Sequence, residues 1–127
     1  MTESSQLSDD IRETMSRLYD DPDARIDHLG DLDPDAALVS GQATVFKALA
    51  SEDRLRILAA LRECECCVCE LQIVLDAPQS TVATHLRKLR EAGLIKSRKK
   101  GRWSYYRIAD TAVFELLDLA AAVEVDA

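Results

Sequence analysis

No stretch of this chain comes near the eighteen or so consecutive apolar residues of a membrane span. Its opening, MTESSQLSDD, has neither the basic start nor the apolar centre of a signal peptide. A cytoplasmic protein without a membrane partner is therefore expected. Histidine is confined to His28 and His85, so a Cys–His catalytic pairing or a histidine-rich zinc centre has little to draw on. Cysteine is absent except in one run, RECECCVCEL, where Cys64, Cys66, Cys67 and Cys69 fall within six residues. Disulfides stabilise chiefly by closing long loops, and no pair here closes more than a few residues. A reducing cytosol would also keep these groups as thiols, so the run is expected to serve chemistry rather than architecture. Its C-x-x-C spacing lacks the βαβ setting of a thioredoxin-type enzyme. No enzyme is expected.

What is present suits a globular chain of one domain's length: 127 residues, 47% apolar and 31% charged. The net charge of −7 looks hostile to nucleic acid until it is resolved along the chain. Residues 1–40 hold eleven acids against three bases, and residues 109–127 hold five acids and no base. Residues 76–108 hold nine bases against two acids, a local +7. Steering toward phosphate depends on where charge sits rather than on its total.

The first part, 1–33, is expected to be an acidic arm with one short helix in QLSDDIRETMSRLY, where Leu7, Ile11, Met15 and Leu18 recur at helical spacing. DDPDARIDHLGDLDP, with two prolines, a glycine and six acids, is expected to be loop. A DNA-binding and dimerisation domain is expected over 34–127. Its first helix would start at Pro34 with Asp33 as cap and run to Ala50. Ser51 would cap the next helix, with Glu52 and Asp53 in its first turn and Leu55, Leu58 and Leu61 as its apolar stripe. The cysteine run leads into CELQIVLDA, a short helix ended before Pro78. QSTVATHLRKLREAGLI is a longer helix closed by Gly93. LIKSRKKGRWSYYRI alternates around Lys100-Gly101 as a hairpin, and a last helix starts at an Asp110 cap. The fold class is mostly α with a small β-hairpin, in the order of a winged helix-turn-helix.

That order gives the basic block a job, because the second helix of such a pair enters the major groove. At about 100° per residue, Val82, Leu86 and Leu89 fall in one arc that anchors the helix. Ser80, Thr81, Thr84 and Lys88 face away from it, with His85 and Arg87 at the margins. Hydroxyls and the imidazole suit base edges, Gln79 suits an adenine edge, and Arg87 and Lys88 suit phosphate. The hairpin tip carries Arg98, Lys99, Lys100 and Arg102, which a hairpin cannot bury and which phosphate would neutralise. Trp103, Tyr105 and Tyr106 are expected to pack within the hairpin rather than stack on bases. The expected partner is double-stranded DNA.

FKALASEDRLRILAALRE, STVATHLRKLREAGLI and RKKGRWSYYRI, in that order, resemble the ArsR/SmtB family of metal-responsive repressors over roughly Thr44 to Ile108. The resemblance implies a homodimer joined through its first core helix and its C-terminal helix, seated on an operator that it leaves when an inducer binds. The residues agree at the C-terminus, where Val113, Phe114, Leu116, Leu117, Leu119, Ala120, Ala121 and Val123 cover nearly every face of the last helix. A two-fold dimer would meet an inverted repeat with recognition helices about 34 Å apart.

ECCVCEL is similar to the ELCVCDL signature of the arsenic- and cadmium-responsive branch. Cys67 and Cys69 match its two cysteines, and Cys66 replaces its leucine. The resemblance implies arsenite or antimonite, possibly cadmium, as inducer, and thiolates do select soft ions. Where arsenic-type members place a third cysteine, this chain has Gln72, so the third ligand is expected from Cys64 or Cys66. Cys64 is preferred, being at i, i+3 from Cys67 on one helical face. Glu63, Glu65 and Glu70 are expected to raise the thiol pKa values. Three alternatives stay open: a thiol-based redox sensor of the same fold, inert core thiols, and structural zinc, which one short run can hardly wrap.

Overall fold

The computed structural model describes residues 8–32 and 34–126. The chain divides into two compact units, one ending at Ser40 and the other beginning at Gly41.

In the N-terminal unit, α1 spans Asp9–Leu18, with Ser8 accepting the Ile11 N–H as N-cap. Leu7, expected in this helix, lies outside the described residues. A second helix, α2 (Pro22–Gly30), occupies the segment expected to be loop. The breaker residues sit where a helix tolerates them. Asp21 caps the Ala24 N–H, Pro22 takes the first turn where its missing N–H costs nothing, and Gly30 is the last helical residue before the Asp31 C-cap. Helix α3 spans Ala36–Leu49 and runs from the first unit into the second. It begins two residues later than Pro34, because the Asp35 carboxylate accepts the N–H groups of Ala37 and Leu38. The expected cap, Asp33, lies outside the described residues.

In the second unit, α4 (Glu52–Glu63) starts at the Ser51 cap, whose hydroxyl accepts the Arg54 N–H. Its buried stripe is Arg54, Ile57, Leu58 and Leu61, at i, i+3, i+4 and i+7. Leu55, expected in that stripe, is exposed. The cysteine run is extended rather than helical: Cys64 ends α4 in β conformation, and Cys66–Cys67 form a strand, β1. Helices α5 (Val68–Leu75) and α6 (Gln79–Glu91) follow as the helix-turn-helix pair. Helix α6 ends in a Schellman motif, with Leu94 N–H on the Leu89 carbonyl and Gly93 N–H on that of Arg90. Gly93 sits at φ +78°, where a side chain would be strained.

Strands β2 (Ile95–Lys100) and β3 (Trp103–Ile108) form the wing, joined through Gly101 at φ +67°, as a two-residue II′ turn requires. The sheet order is β1-β3-β2, all antiparallel. The last helix, α7 (Thr111–Ala122), begins at the Asp110 cap. Ile57, Leu58, Leu71, Val82, Leu86, Leu89 and Ile95 are fully enclosed. Each such side chain contributes about 1.5–3 kcal/mol on burial, and together they fix α4, α5, α6 and the root of the wing around one centre. The architecture is the mostly helical winged helix-turn-helix expected.

Candidate nucleic-acid interface and thiol site

Val82, Leu86 and Leu89 anchor α6 to the core, so its other side must face outward. Gln79, Ser80, Arg87 and Lys88 are exposed there, as is Arg90, which the sequence pattern did not single out. Thr81 and Thr84 are half-buried. The Thr84 hydroxyl donates to the Ser80 carbonyl at 3.0 Å, which leaves its oxygen free only to accept. His85 is different. Its side chain is 17% exposed, its Nδ1 lies 3.2 Å from Arg54 Nη1, and its Nε2 lies 3.7 Å from Asp53 Oδ2. Arginine only donates, so Nδ1 accepts and the neutral ring carries its proton on Nε2, toward Asp53. Arg54 itself is buried and donates from Nε to the Ala48 carbonyl at 2.6 Å and from Nη2 to that of Lys47 at 3.3 Å. One guanidinium thus closes the C-terminal end of α3 and holds the recognition helix to α4.

The register sorts the wing into two faces, since cross-strand partners share a face and neighbours alternate. Ile95 with Ile108 and Ser97 with Tyr106 face the core, whereas Lys96 with Arg107, Arg98 with Tyr105 and Lys100 with Trp103 face outward. Lys96 opposite Arg107 is a like-charge pair, costly in isolation and relieved by an anion. Neither residue stood out before the register was known. Of the expected tip residues, Lys99 and Arg102 are exposed, and the Lys100 ammonium lies 5.5 Å from the Tyr105 ring centroid. Arg98 is held by Glu65, its Nε and Nη2 donating at 2.9 and 2.6 Å. That fork holds the Glu65 carboxyl below the ordinary carboxylate range. Tyr106 packs on the core as expected, but Trp103 is 52% exposed.

Strand β1 makes the cysteine segment the third strand of this sheet, with Cys66 opposite Tyr106 and Cys67 opposite Tyr105. Cys66 is buried on the core face, with its Sγ 3.9 Å from that of Cys64 and 3.6 Å from the Cys64 carbonyl, to which it donates. Burial, reinforced by the hydrogen bond to Cys64, pushes the Cys66 thiol up to about 12. Of the neighbouring acids expected to raise it, Glu70 contributes less than burial, and Glu65 is committed to Arg98. Glu70 instead accepts the Cys67 N–H at 2.9 Å, half of a capping box for α5, which holds its carboxyl below the ordinary range. Cys69 is exposed in the first turn of α5. The i, i+3 helical relation expected of Cys64 and Cys67 does not exist, because residues 64–67 are extended.

A family model for bacterial regulatory proteins of the arsR family matches residues 51–97, from the cap of α4 into β2. An arsenical resistance operon repressor of Bacillus subtilis is 42% identical over 73 residues, covering 57% of this chain and 70% of that protein. The chain belongs to the arsR family. An arsenic resistance transcriptional regulator of Pseudomonas putida is 49% identical over 65 residues, 50% of this chain and 51% of its own length. The chain therefore spans about half of that relative. The homodimeric winged helix-turn-helix DNA-binding domain of a possible ArsR-family regulator from Mycobacterium bovis superposes with a TM-score of 0.66 at 34% identity, covering 72% of this chain and 86% of that one.

The four free thiols offer only sulfur donors, all from one short segment. Cys64 and Cys66 fit two positions of a soft ion: sulfurs bound at about 2.3 Å in a tetrahedral site lie about 3.8 Å apart, close to the 3.9 Å observed. Cys67 follows Cys66 in the strand and so lies on the sheet's opposite face. Among the described residues no three His, Cys, Asp or Glu side chains are arranged to hold one ion. A dithiol is preformed, and a third sulfur requires the segment to rearrange.

Proposed function

We propose that this protein is a dimeric transcriptional repressor that occupies operator DNA and leaves it when a thiophilic metal or metalloid binds the cysteine segment. One observation carries this reading: the strand bearing the thiols belongs to the same sheet as the cationic wing. Arsenite or antimonite is the favoured inducer and cadmium the next, given the ECCVCEL run and the names of the relatives. Gln79, Ser80, Thr81 and Thr84 would read bases. Arg87, Lys88, Lys99, Lys100 and Arg102 would meet phosphate, while Arg98, held by Glu65, would steady the wing that carries them. His85 would act mainly by orienting α6. Cys64, Cys66, Cys67 and Cys69 supply the ligands, and their sulfurs would give a soft ion its covalent grip. Dimerisation is supported by the exposed apolar residues of α3 (Leu38, Val39, Phe46) and of α7 and its C-cap (Leu119, Val123). Residues 34–127 would form the DNA-binding and dimerisation part, and 1–33 an acidic arm.

The test is operator binding under anaerobic, reducing conditions, on a duplex selected from random sequence. Arsenite, antimonite, cadmium and zinc are added separately, followed by peroxide. Release by arsenite at stoichiometric concentration, lost in Cys67→Ser, is expected. Indifference to every ion would overturn metal induction. A full arsenite response in Cys67→Ser would remove that residue from the ligand set. The 3.9 Å approach of Cys64 and Cys66 supports a second reading, in which peroxide takes two electrons from these thiols, whose protons leave as the disulfide closes. Release by peroxide alone would favour it.

A further inference from the structure

The sheet register and the Glu65–Arg98 fork carry a more specific statement, which rests on the thiol segment being the inducer site. We propose that Glu65 and Arg98 are positioning residues that transmit the state of the cysteine segment to the wing, so that inducer binding is read out as a movement of the wing. Glu65 stands between Cys64 and Cys66. Its carboxylate reaches past β3 to Arg98 on β2 with two hydrogen bonds, 2.9 and 2.6 Å. Besides Arg98, the cations of Arg107 and Lys100 also act on its carboxylate.

Below it, the β1–β3 ladder joins Cys66 and Cys67 directly to Tyr106 and Tyr105. To bring a third sulfur to the Cys64–Cys66 pair, residues 64–67 must leave the extended conformation. Cys66 then gives up its place in the core, the ladder opens, and Glu65 is drawn off Arg98. The wing loses two of its ties to the body of the domain at once. The recognition helix has a further anchor, because Arg54 on α4 holds His85 through contacts that do not involve the thiol segment. The wing is therefore the element that the Glu65–Arg98 fork and the β1–β3 ladder place under the control of the thiols.

Trp103 is the only tryptophan in the chain and lies at the start of β3, partly exposed, so its emission reports the wing without DNA present. Full-length protein is titrated anaerobically with arsenite while Trp103 emission and the thiols still reactive toward a disulfide reagent are followed in parallel. In the unaltered protein, emission should change with the same midpoint as thiol protection. In Glu65→Gln and in Arg98→Gln, arsenite should still protect the thiols, but the emission change should shrink at least twofold. The double exchange Glu65→Arg with Arg98→Glu should restore it, which loss of fold could not do.

Full amplitude in both single variants, or no rescue by the exchange, overturns the proposal. So does thiol protection and operator release in the unaltered protein with no change at Trp103, an outcome that leaves the repressor reading standing. Failure of arsenite, antimonite, cadmium and zinc alike to protect any thiol removes both.

Discussion

Arg54 is the residue whose role departs furthest from its chemistry on paper. An arginine in a buried helical stripe is costly unless every donor is used, and here one guanidinium serves two main-chain carbonyls and a histidine ring. Arg54→Met should lower the free energy of unfolding by about 2–4 kcal/mol, since it strands the buried Ala48 carbonyl and a part-buried one at Lys47, measured by urea denaturation. Arg54→Lys should recover little, because an ammonium cannot present the same fork. Cys66 makes a second residue-scale prediction. With its thiol raised by burial to about 12, it stays protonated at pH 8 while an ordinary thiol is partly ionised. Alkylation of the native protein by iodoacetamide at pH 8, followed by peptide mapping, should modify Cys66 at least about tenfold more slowly than the exposed Cys64 and Cys69. The sign is fixed for stability as well. The unfolded thiol ionises first as pH rises, so the stabilisation from keeping Cys66 neutral is present below pH 9 and is lost progressively above it.

Among the elements, the wing and α2 separate what local pattern conveys from what it does not. The hairpin, its turn at Gly101 and its outward bases follow from alternation and a glycine, which are local. The division of those bases into free and engaged does not, because Arg98 meets an acid 33 positions away. Lys99, with no such partner among the hydrogen bonds and ion pairs of the described residues, should behave as a simple phosphate contact. Lys99→Ala should weaken binding to all duplexes alike and lower the slope of log affinity against log salt by about one. A loss confined to one sequence would instead make Lys99 a reader of bases. Helix α2 was hidden by its own boundary residues, since proline and glycine count as breakers in a window average, whereas Pro22 sits in the first turn and Gly30 at the last helical position.

For the whole molecule, the open question is what covers α7. Leu119 is 67% exposed, as is Val123 at its C-cap, and α4 holds the near side of the helix. There Arg62 forms a fork with Asp118 at 2.8 and 3.3 Å and lies over the Phe114 ring. A second copy of the chain would cover the far side. The 14.1 kDa chain should therefore sediment as a dimer of about 28 kDa. Leu119→Glu should give a folded monomer by sedimentation velocity, with operator affinity reduced at least about a hundredfold because the two half-sites are no longer linked.

The sequence by itself determined the elements that depend on neighbours: the caps at Ser51 and Asp110, the buried arc of Val82, Leu86 and Leu89, the turn at Gly101, and the local basicity of residues 76–108. These rest on hydrogen bonds and periodicities within a few positions, which a linear string displays. Tertiary structure alone decided that the cysteine run is a strand rather than a helical turn, that Cys66 pairs with Cys64, that Glu65 claims Arg98, and that Arg54 rather than Leu55 completes the buried stripe. Each of those depends on what a distant segment places opposite the residue. A β ladder, a salt-bridge fork and a buried guanidinium are all contacts between parts of the chain that composition and spacing do not bring together.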